Sequence, residues 1–121
     1  MTGNKKHLSL ITVNVKGLNS PIKRYRLPMW TKEHNPTVCC LQETHLTGKD
    51  THRLKVKGWK KIYHANGNQK QAGITMLISN TANFKLKLIR RNNAGNILLI
   101  KGTTQQEDVM IVNIHAPNVS S

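Results

Sequence analysis

The residue best suited to catalysis is Glu43, in the stretch Leu41-Gln42-Glu43-Thr44-His45. It directly follows the apolar run Val38-Cys39-Cys40-Leu41, which places a carboxylate at the end of a predicted buried strand. Only five residues of the chain are acidic, so metal or acid–base chemistry must depend on very few groups. The five are Glu33, Glu43, Asp50, Glu107 and Asp108. Glu43 is therefore the first candidate for binding a metal ion or moving a proton.

Sulfur and imidazole groups do not form a comparable cluster in the sequence. Cys39 and Cys40 are adjacent, and neighbours on a strand point to opposite faces, so they cannot chelate one metal ion. We predict that both are small core residues, and the lack of a disulfide pattern favours a reducing compartment. The histidines other than His115 have no plausible Asp partner, and we predict that they are scattered over the surface. They are His7, His34, His45, His52 and His64.

Three nearly continuous apolar segments predict central strands that are covered on both faces. These segments are residues 8–15, 37–42 and 109–115. Each ends in polar side chains, namely Asn14, the pair Gln42-Glu43, and Asn113 with His115. Polar groups at the ends of buried strands indicate a shared rim that can carry a site.

Further strands and one helix are predicted around these segments. Residues 73–79 form an apolar strand, and residues 84–90 alternate apolar and basic side chains, as in a half-exposed strand. A turn at 92–96 connects it to a strand at 97–101, whereas residues 44–59 are predicted to be irregular.

An early helix is predicted by the pair Ser20-Pro21, in which Ser20 caps the helix and Pro21 takes its first position. Pro28 lies inside the same segment and would cost about 3 kcal/mol in a regular helix. The helix therefore carries a local conflict.

The charge of the chain favours a polyanionic partner. Lysine and arginine number 19 against 5 acids, a formal net charge of +14, which predicts attraction to nucleic acid rather than a merely basic surface. Two Trp, two Tyr and one Phe are too few for a platform that stacks successive bases. We find neither a secretory signal nor a membrane-spanning apolar run, and expect an intracellular protein of the nucleus or cytoplasm without membrane contact.

Three motifs occur in a fixed order: Thr12-Val13-Asn14-Val15-Lys16-Gly17-Leu18, Leu41-Gln42-Glu43-Thr44-His45 and Val112-Asn113-Ile114-His115-Ala116-Pro117-Asn118. Four shorter stretches accompany them, at residues 19–24, 50–55, 57–63 and 65–67. The three motifs resemble the opening motifs of the endonuclease/exonuclease/phosphatase superfamily, which is similar to deoxyribonuclease I and apurinic endonucleases. With the shorter stretches, essentially the whole chain resembles the endonuclease domain of LINE-type retrotransposon polyproteins.

The resemblance implies a set of candidate catalytic residues. Glu43 would bind Mg²⁺, Asn14 would act on the metal indirectly by orienting the carboxylate or the phosphate, and Asn118 would contact the site. The family has Tyr at position 115, beside the attacked phosphate; His115 can also donate a hydrogen bond, but is shorter and changes charge near neutral pH. Without this context Glu43 would be an exposed strand-end acid, and Asn14 a turn residue, which for Asn14 stays an open alternative.

The later motifs of the family, a Gly-Asp-x-Asn loop and Ser-Asp-His, do not occur in the sequence. Hydrolysis needs an activated nucleophile as well as a metal, so we expect the chain alone to be inactive. The resemblance implies that residues 1–121 are the N-terminal portion of the domain, a partial deoxyribonuclease-I-like α/β sandwich. We expect mostly one mixed sheet with one or two helices and the second sheet missing, and self-association or aggregation through the uncovered sheet.

Three functions remain in competition on this basis. The first is a portion of an Mg²⁺-dependent DNA endonuclease that nicks target DNA to prime reverse transcription. The second is a non-catalytic basic protein that binds DNA, and RNA non-specifically, through its charge. The third is a translated retrotransposon remnant without a selected function.

Overall fold

The computed structural model describes residues 8–18, 21–46, 54–67 and 72–116. Its elements are, in chain order, β1 (Leu10–Asn14), α1 (Pro21–His34), β2 (Val38–Gln42), β3 (Lys61–Ala65), β4 (Ile74–Ile78), β5 (Lys85–Arg91), β6 (Ile97–Thr104) and β7 (Glu107–Ile114). A short 3-10 helix, Asn80–Ala82, joins β4 to β5. In the described ranges the strands form two sheets, of order β1-β2-β4-β3 and β5-β6-β7. The predicted mixed α/β class is confirmed.

β2 is the central strand of the four-stranded sheet. It pairs in parallel with β1 and antiparallel with β4, and Val38 to Leu41 are all buried. Apolar side chains on both faces of one strand require a layer of protein on each side of the sheet. Cys39 and Leu41 face one layer and Val38 and Cys40 the other, which confirms that the two cysteines point apart.

The first layer is a helix-side core. It packs α1 and the loop around Trp59 against β1, β2 and β4, and its buried members are Leu18, Leu27, Cys39, Leu41, Leu46, Leu54, Val56, Trp59 and Leu77. The second layer is an inter-sheet core, in which β2, β3 and β4 pack against the three-stranded sheet. Its buried members are Val38, Cys40, Ala65, Ile74, Met76, Ile78, Ala82, Phe84, Leu98, Ile100 and Ile111.

The expectation that the second sheet is missing was wrong. β5, β6 and β7 are consecutive antiparallel strands, so they pair through short local turns and need no distant segment of chain. Gln105 and Gln106 both have positive φ, 53° and 66°, which is the twist that a tight hairpin requires between β6 and β7. The inner face of the four-stranded sheet is therefore covered.

Two strands that were predicted to be central are edge strands. β1 lies at the edge of the four-stranded sheet and β7 at the edge of the other. Leu10 on β1 is 51% exposed, and Met110, Val112 and Ile114 on β7 are 62%, 44% and 58% exposed. Among the described residues, the outer face of β7 and the edge of β1 thus contribute exposed apolar surface, whereas the inner face of the four-stranded sheet does not.

Two local features also differ from the sequence prediction. β3 was not predicted, because Ile62 and Tyr63 are flanked by Lys61 and His64 and all four are only half-buried. α1 runs through Pro28, and the Thr31 hydroxyl donates to the carbonyl oxygens of Leu27 and Pro28 at 3.1 and 2.9 Å.

Pro21 takes the first position of α1 as predicted, while the capping residue Ser20 lies outside the described residues. Residues 54–59 are irregular, with one isolated bridge from Val56 to Trp59, and residues 47–53 lie outside the described part. No helix in the described ranges is long and apolar enough to cross a membrane.

Candidate active site

The ends of β1 and β2 meet at one edge of the four-stranded sheet. The parallel register pairs Asn14 with Gln42, and two further backbone bonds continue the pairing beyond the strands. Val15 N–H donates to Gln42 O at 3.0 Å, and Gly17 N–H donates to Glu43 O at 2.7 Å. Because parallel strands have their carboxyl ends on the same side, Asn14 and Glu43 are brought together directly.

Glu43 leaves the strand in a left-handed backbone conformation, with φ of 55°. A residue with a side chain rarely adopts this conformation, and such residues cluster at functional sites. Asn14 fixes the carboxylate, because its Nδ2 donates to Glu43 Oε2 while its Oδ1 accepts the N–H of Lys16 at 3.0 Å. Both ends of the Asn14 amide are therefore used to hold the turn and the acid in place.

His115 reaches the same carboxylate from the other sheet. Its Nε2 lies 3.5 Å from Glu43 Oε2, and the two side chains are 23% and 24% exposed. The backbone N–H of His115, just beyond β7, donates to Asn96 O at 3.0 Å. The imidazole and the carboxylate thus face a common partly open space at the end of the sandwich.

A pair of amide side chains ties the two sheets together beside this space. Gln42 Nε2 donates to Asn113 Oδ1 at 3.3 Å and to Ile114 O at 3.0 Å. Asn113, which is 3% exposed, donates through Nδ2 to Leu41 O and Thr75 O, both at 3.4 Å. This amide tie fixes the end of β7, and hence His115, relative to Glu43.

The sequence prediction placed Gln42 and Asn113 on the rim but gave them no role. The signal for Asn113 was its parity: along β7 it alternates in phase with the buried Ile111, so a polar side chain was directed inward. A buried polar group in that position must find partners, and across the sandwich the partners come from β2 and β4.

Two glycines shape the rim where side chains would not fit. Gly73 has φ of 108°, and a Cβ there would lie 2.5 Å from Thr44 Oγ1. Gly17 has φ of 99°, and a Cβ there would lie 2.8 Å from His45 Nδ1. Both the backbone conformation and the close approach require glycine, which lets the loop after Glu43 pack against its neighbours.

Two histidines are not surface residues, contrary to the prediction. His45 and His64 are half-buried, while His34 is exposed as predicted, and His7 and His52 lie outside the described residues. His64 Nδ1 lies 2.9 Å from Thr75 Oγ1, a hydrogen bond between β3 and β4. Burial, followed by the positive charge of Arg91, lowers the pKa of His64 to about 4. His64 is therefore a neutral structural residue at pH 7.

The structure thus brings three of the four predicted site residues together, namely Asn14, Glu43 and His115, and the fourth, Asn118, lies outside the described residues. In the described part of the chain no group of three His, Cys, Asp or Glu side chains is arranged to hold a metal ion. The carboxylate of Glu43 is the hard oxygen donor that Mg²⁺ prefers, whereas the imidazole of His115 is not a ligand that this ion selects. The donor set therefore fits Mg²⁺ through Glu43 alone.

No protein-family model matches the chain. The fold is similar to that of solved AP endonucleases and of TDP2. An AP endonuclease from Leishmania major superposes with a TM-score of 0.73 at 19% identity over 93% of this chain and 41% of its own. TDP2 from Caenorhabditis elegans gives 0.68 at 20% identity over 93% and 36%, and an AP endonuclease from Archaeoglobus fulgidus gives 0.57 at 19% over 86% and 40%.

These similarities establish the fold, which is that of the deoxyribonuclease-I-like α/β sandwich. The chain spans less than half of the length of each of these three structures.

Proposed function

We propose that residues 1–121 are the N-terminal portion of a metal-dependent DNA endonuclease of the LINE retrotransposon type, which nicks target DNA to prime reverse transcription. The observation that supports this best is the convergence of Asn14, Glu43 and His115 from three strands and two sheets onto one space. Residues so distant in sequence meet there through the hydrogen bond from Asn14 to Glu43 and the 3.5 Å contact between His115 Nε2 and Glu43 Oε2. The similarity of the fold to AP endonucleases supports the same proposal.

Each of the three residues has a distinct task in this proposal. Glu43 would hold Mg²⁺, which supplies polarisation of a phosphodiester and stabilisation of the leaving oxygen when bound. Asn14 holds the carboxylate in position through its hydrogen bond. His115, 3.5 Å from the carboxylate and partly exposed, is placed to donate a hydrogen bond to a phosphate oxygen.

Two exposed lysines lie near the turn that follows Asn14, and their charge would favour DNA. Lys23 Nζ donates to the carbonyl oxygen of Lys16 at 2.8 Å, two residues beyond Asn14 in the chain. Lys16 and Lys23 are both exposed, so their charges are available to phosphates. With the formal net charge of +14, this arrangement gives the portion affinity for the DNA backbone.

The proposal is tested by joining this chain to the part of the Leishmania major AP endonuclease that the superposition does not cover. The chimera, once shown to be folded by circular dichroism, is incubated with supercoiled plasmid and Mg²⁺. We expect nicking that falls at least about a hundredfold in Glu43→Gln, because the carboxylate is the proposed metal ligand. A folded chimera that nicks equally well with Glu43→Gln would contradict the proposal.

The chain by itself is the matched control for that experiment. Since its sequence lacks the later catalytic motifs, we expect no nicking above the level of its own Glu43→Gln variant. Nicking by the chain alone that disappears in Glu43→Gln would show that these residues suffice for catalysis.

A second function, non-catalytic binding of nucleic acid, is favoured by the net charge alone. It predicts an affinity that falls steeply with salt and is unchanged in Glu43→Gln. Fluorescence anisotropy with a labelled duplex measures both, and Lys16→Gln with Lys23→Gln should reduce the slope of log affinity against log salt by about two. Binding that depends on Mg²⁺ and Glu43 would favour the endonuclease proposal over this one.

A further inference from the structure

We propose that Glu43 and His115 together bind a zinc ion more tightly than they bind Mg²⁺. The inference rests on the proposed function only in that Glu43 is a metal ligand in both. It follows from the contact between one carboxylate and one imidazole at the open end of the sandwich. The ligand atoms are Glu43 Oε2 and His115 Nε2.

The two ligand atoms are close enough to share one ion. They lie 3.5 Å apart. Zinc ligands are each about 2.1 Å from the ion and can therefore be up to about 4.2 Å apart, so both atoms can reach one zinc ion.

The chemistry of the two donors favours zinc over Mg²⁺. Zinc accepts both imidazole nitrogen and carboxylate oxygen, whereas Mg²⁺ selects oxygen and retains its waters. Two protein ligands would leave two tetrahedral positions for water or a phosphate oxygen. Both side chains are about one quarter exposed, so an ion and its remaining ligands can reach the pair from solvent.

The surroundings hold both ligands in place, as the second layer of a metal site does. Asn14 donates to the carboxylate of Glu43. The amide tie of Gln42 and Asn113 fixes the end of β7, and Asn96 O accepts the backbone N–H of His115. Both side chains are therefore partly ordered before the ion binds, and binding loses less conformational entropy.

The experiment is a titration of the whole chain with zinc alone. Binding is measured by calorimetry and by NMR of the histidine side chains. We expect one site whose binding shifts the His115 signals first. His115→Tyr and Glu43→Gln should each weaken it at least about tenfold, since even loss of a residue that only holds a ligand in place costs that much. His34→Gln is the matched control, because His34 is an exposed histidine on α1 that is bonded to Trp30 O at 3.0 Å. Mg²⁺ at the same concentration should not displace the zinc.

Three results would overturn the inference: zinc affinity unchanged in His115→Tyr, His115 signals that do not move in the wild-type chain, or displacement of zinc by equal Mg²⁺. The wild-type NMR titration decides the question even if a variant does not fold. Failure here is distinguishable from failure of the proposed function. A chimera that nicks with Mg²⁺ while the chain ignores zinc would refute only the zinc site, and zinc binding with an inactive folded chimera would refute only the endonuclease.

Discussion

The two sheets of the sandwich differ in how completely they are covered. The four-stranded sheet is packed on one face by the helix-side core and on the other by the inter-sheet core. The three-stranded sheet is packed on its inner face, and its outer face at β7 exposes Met110, Val112 and Ile114. Hydrophobic stabilisation follows apolar area removed from water, so the inner faces should supply most of the stability.

The candidate site combines a residue that follows a central strand with a residue that follows an edge strand. Glu43 follows β2, the central strand with both faces buried, and His115 follows β7, an edge strand with one face open. The carboxylate is therefore held by a rigid scaffold, while the position of the imidazole depends on the amide tie of Gln42 and Asn113. The difference between the sheets identifies that tie as the feature on which the geometry of the site depends.

The largest expected effect compares two methionines, one from each environment. Met76 on β4 is fully buried in the inter-sheet core, and Met110 on β7 is 62% exposed. Met76→Ala should lower the free energy of unfolding by about 2–5 kcal/mol, because it removes buried methylene groups and leaves a cavity. Met110→Ala should change it by less than about 0.5 kcal/mol. Urea denaturation of both variants measures the difference, and equal losses would show that the outer face of β7 is covered in solution.

The next effect tests the tie between the sheets. Asn113→Ala should destabilise the chain by about 1–3 kcal/mol, because it removes the partner of Gln42 and leaves the carbonyl oxygens of Leu41 and Thr75 without its amide. Asn93→Ala, in an exposed turn, is the matched control. Urea denaturation gives the loss, and NMR should show His115 moving away from Glu43. A stable variant with an unchanged His115 environment would show that the amide tie does not position His115 relative to Glu43.

A smaller effect concerns acid stability and His64, which lies between β3 and β4. Its pKa is lowered to about 4 by burial and then by Arg91. As pH falls below about 6.5 the unfolded chain takes up a proton that the folded chain refuses until about pH 4, so stability is lost through this window. Allowing for partial exposure, we expect His64→Gln to reduce that loss by about 1–2 kcal/mol. Thermal unfolding between pH 7 and pH 4 measures it, with His34→Gln as the control that should keep the full loss.

The smallest effect belongs to the outside of the three-stranded sheet. Lys87 Nζ and Asp108 Oδ1 form an ion pair at 3.2 Å, with side chains 56% and 71% exposed. Asp108→Asn should cost less than about 1 kcal/mol, and high salt should abolish the difference. Glu107→Gln, one residue earlier on β7, serves as the control in the same denaturation series. If Asp108→Asn lowered the free energy of unfolding more than Asn113→Ala does, the surface ion pair would stabilise the fold more than the amide tie.

Much of the four-stranded sheet and its rim could be predicted from the sequence. β2 reads directly as a buried strand, because Val38 to Leu41 are uniformly apolar and end at Gln42 and Glu43. The convergence of Asn14 with Glu43 also follows from strand ends in parallel register. Both features follow from local sequence patterns, which do not depend on what packs against the sheet.

The arrangement of the strands could not be predicted in the same way. β1 and residues 109–112 of β7 are apolar like β2, yet both strands lie at edges. Apolar character shows that a strand is suited to burial and not which neighbours the chain provides. The second sheet was missed because its pairing depends on tight turns such as Gln105-Gln106, a dipeptide without the usual glycine or asparagine signal. His64 was misplaced because its burial comes from a long-range pairing with Thr75.

The two adjacent cysteines have a consequence for following how this molecule unfolds. Burial, with a smaller effect of the neighbouring Cys40, raises the pKa of Cys39 to about 12, and burial raises the pKa of Cys40 to about 11. Because the thiolate is the reactive form, alkylating reagents at neutral pH should label neither residue until its surroundings open. Cys39 belongs to the helix-side core and Cys40 to the inter-sheet core. The alkylation rate of Cys39 should therefore report detachment of the helix, and that of Cys40 should report separation of the two sheets.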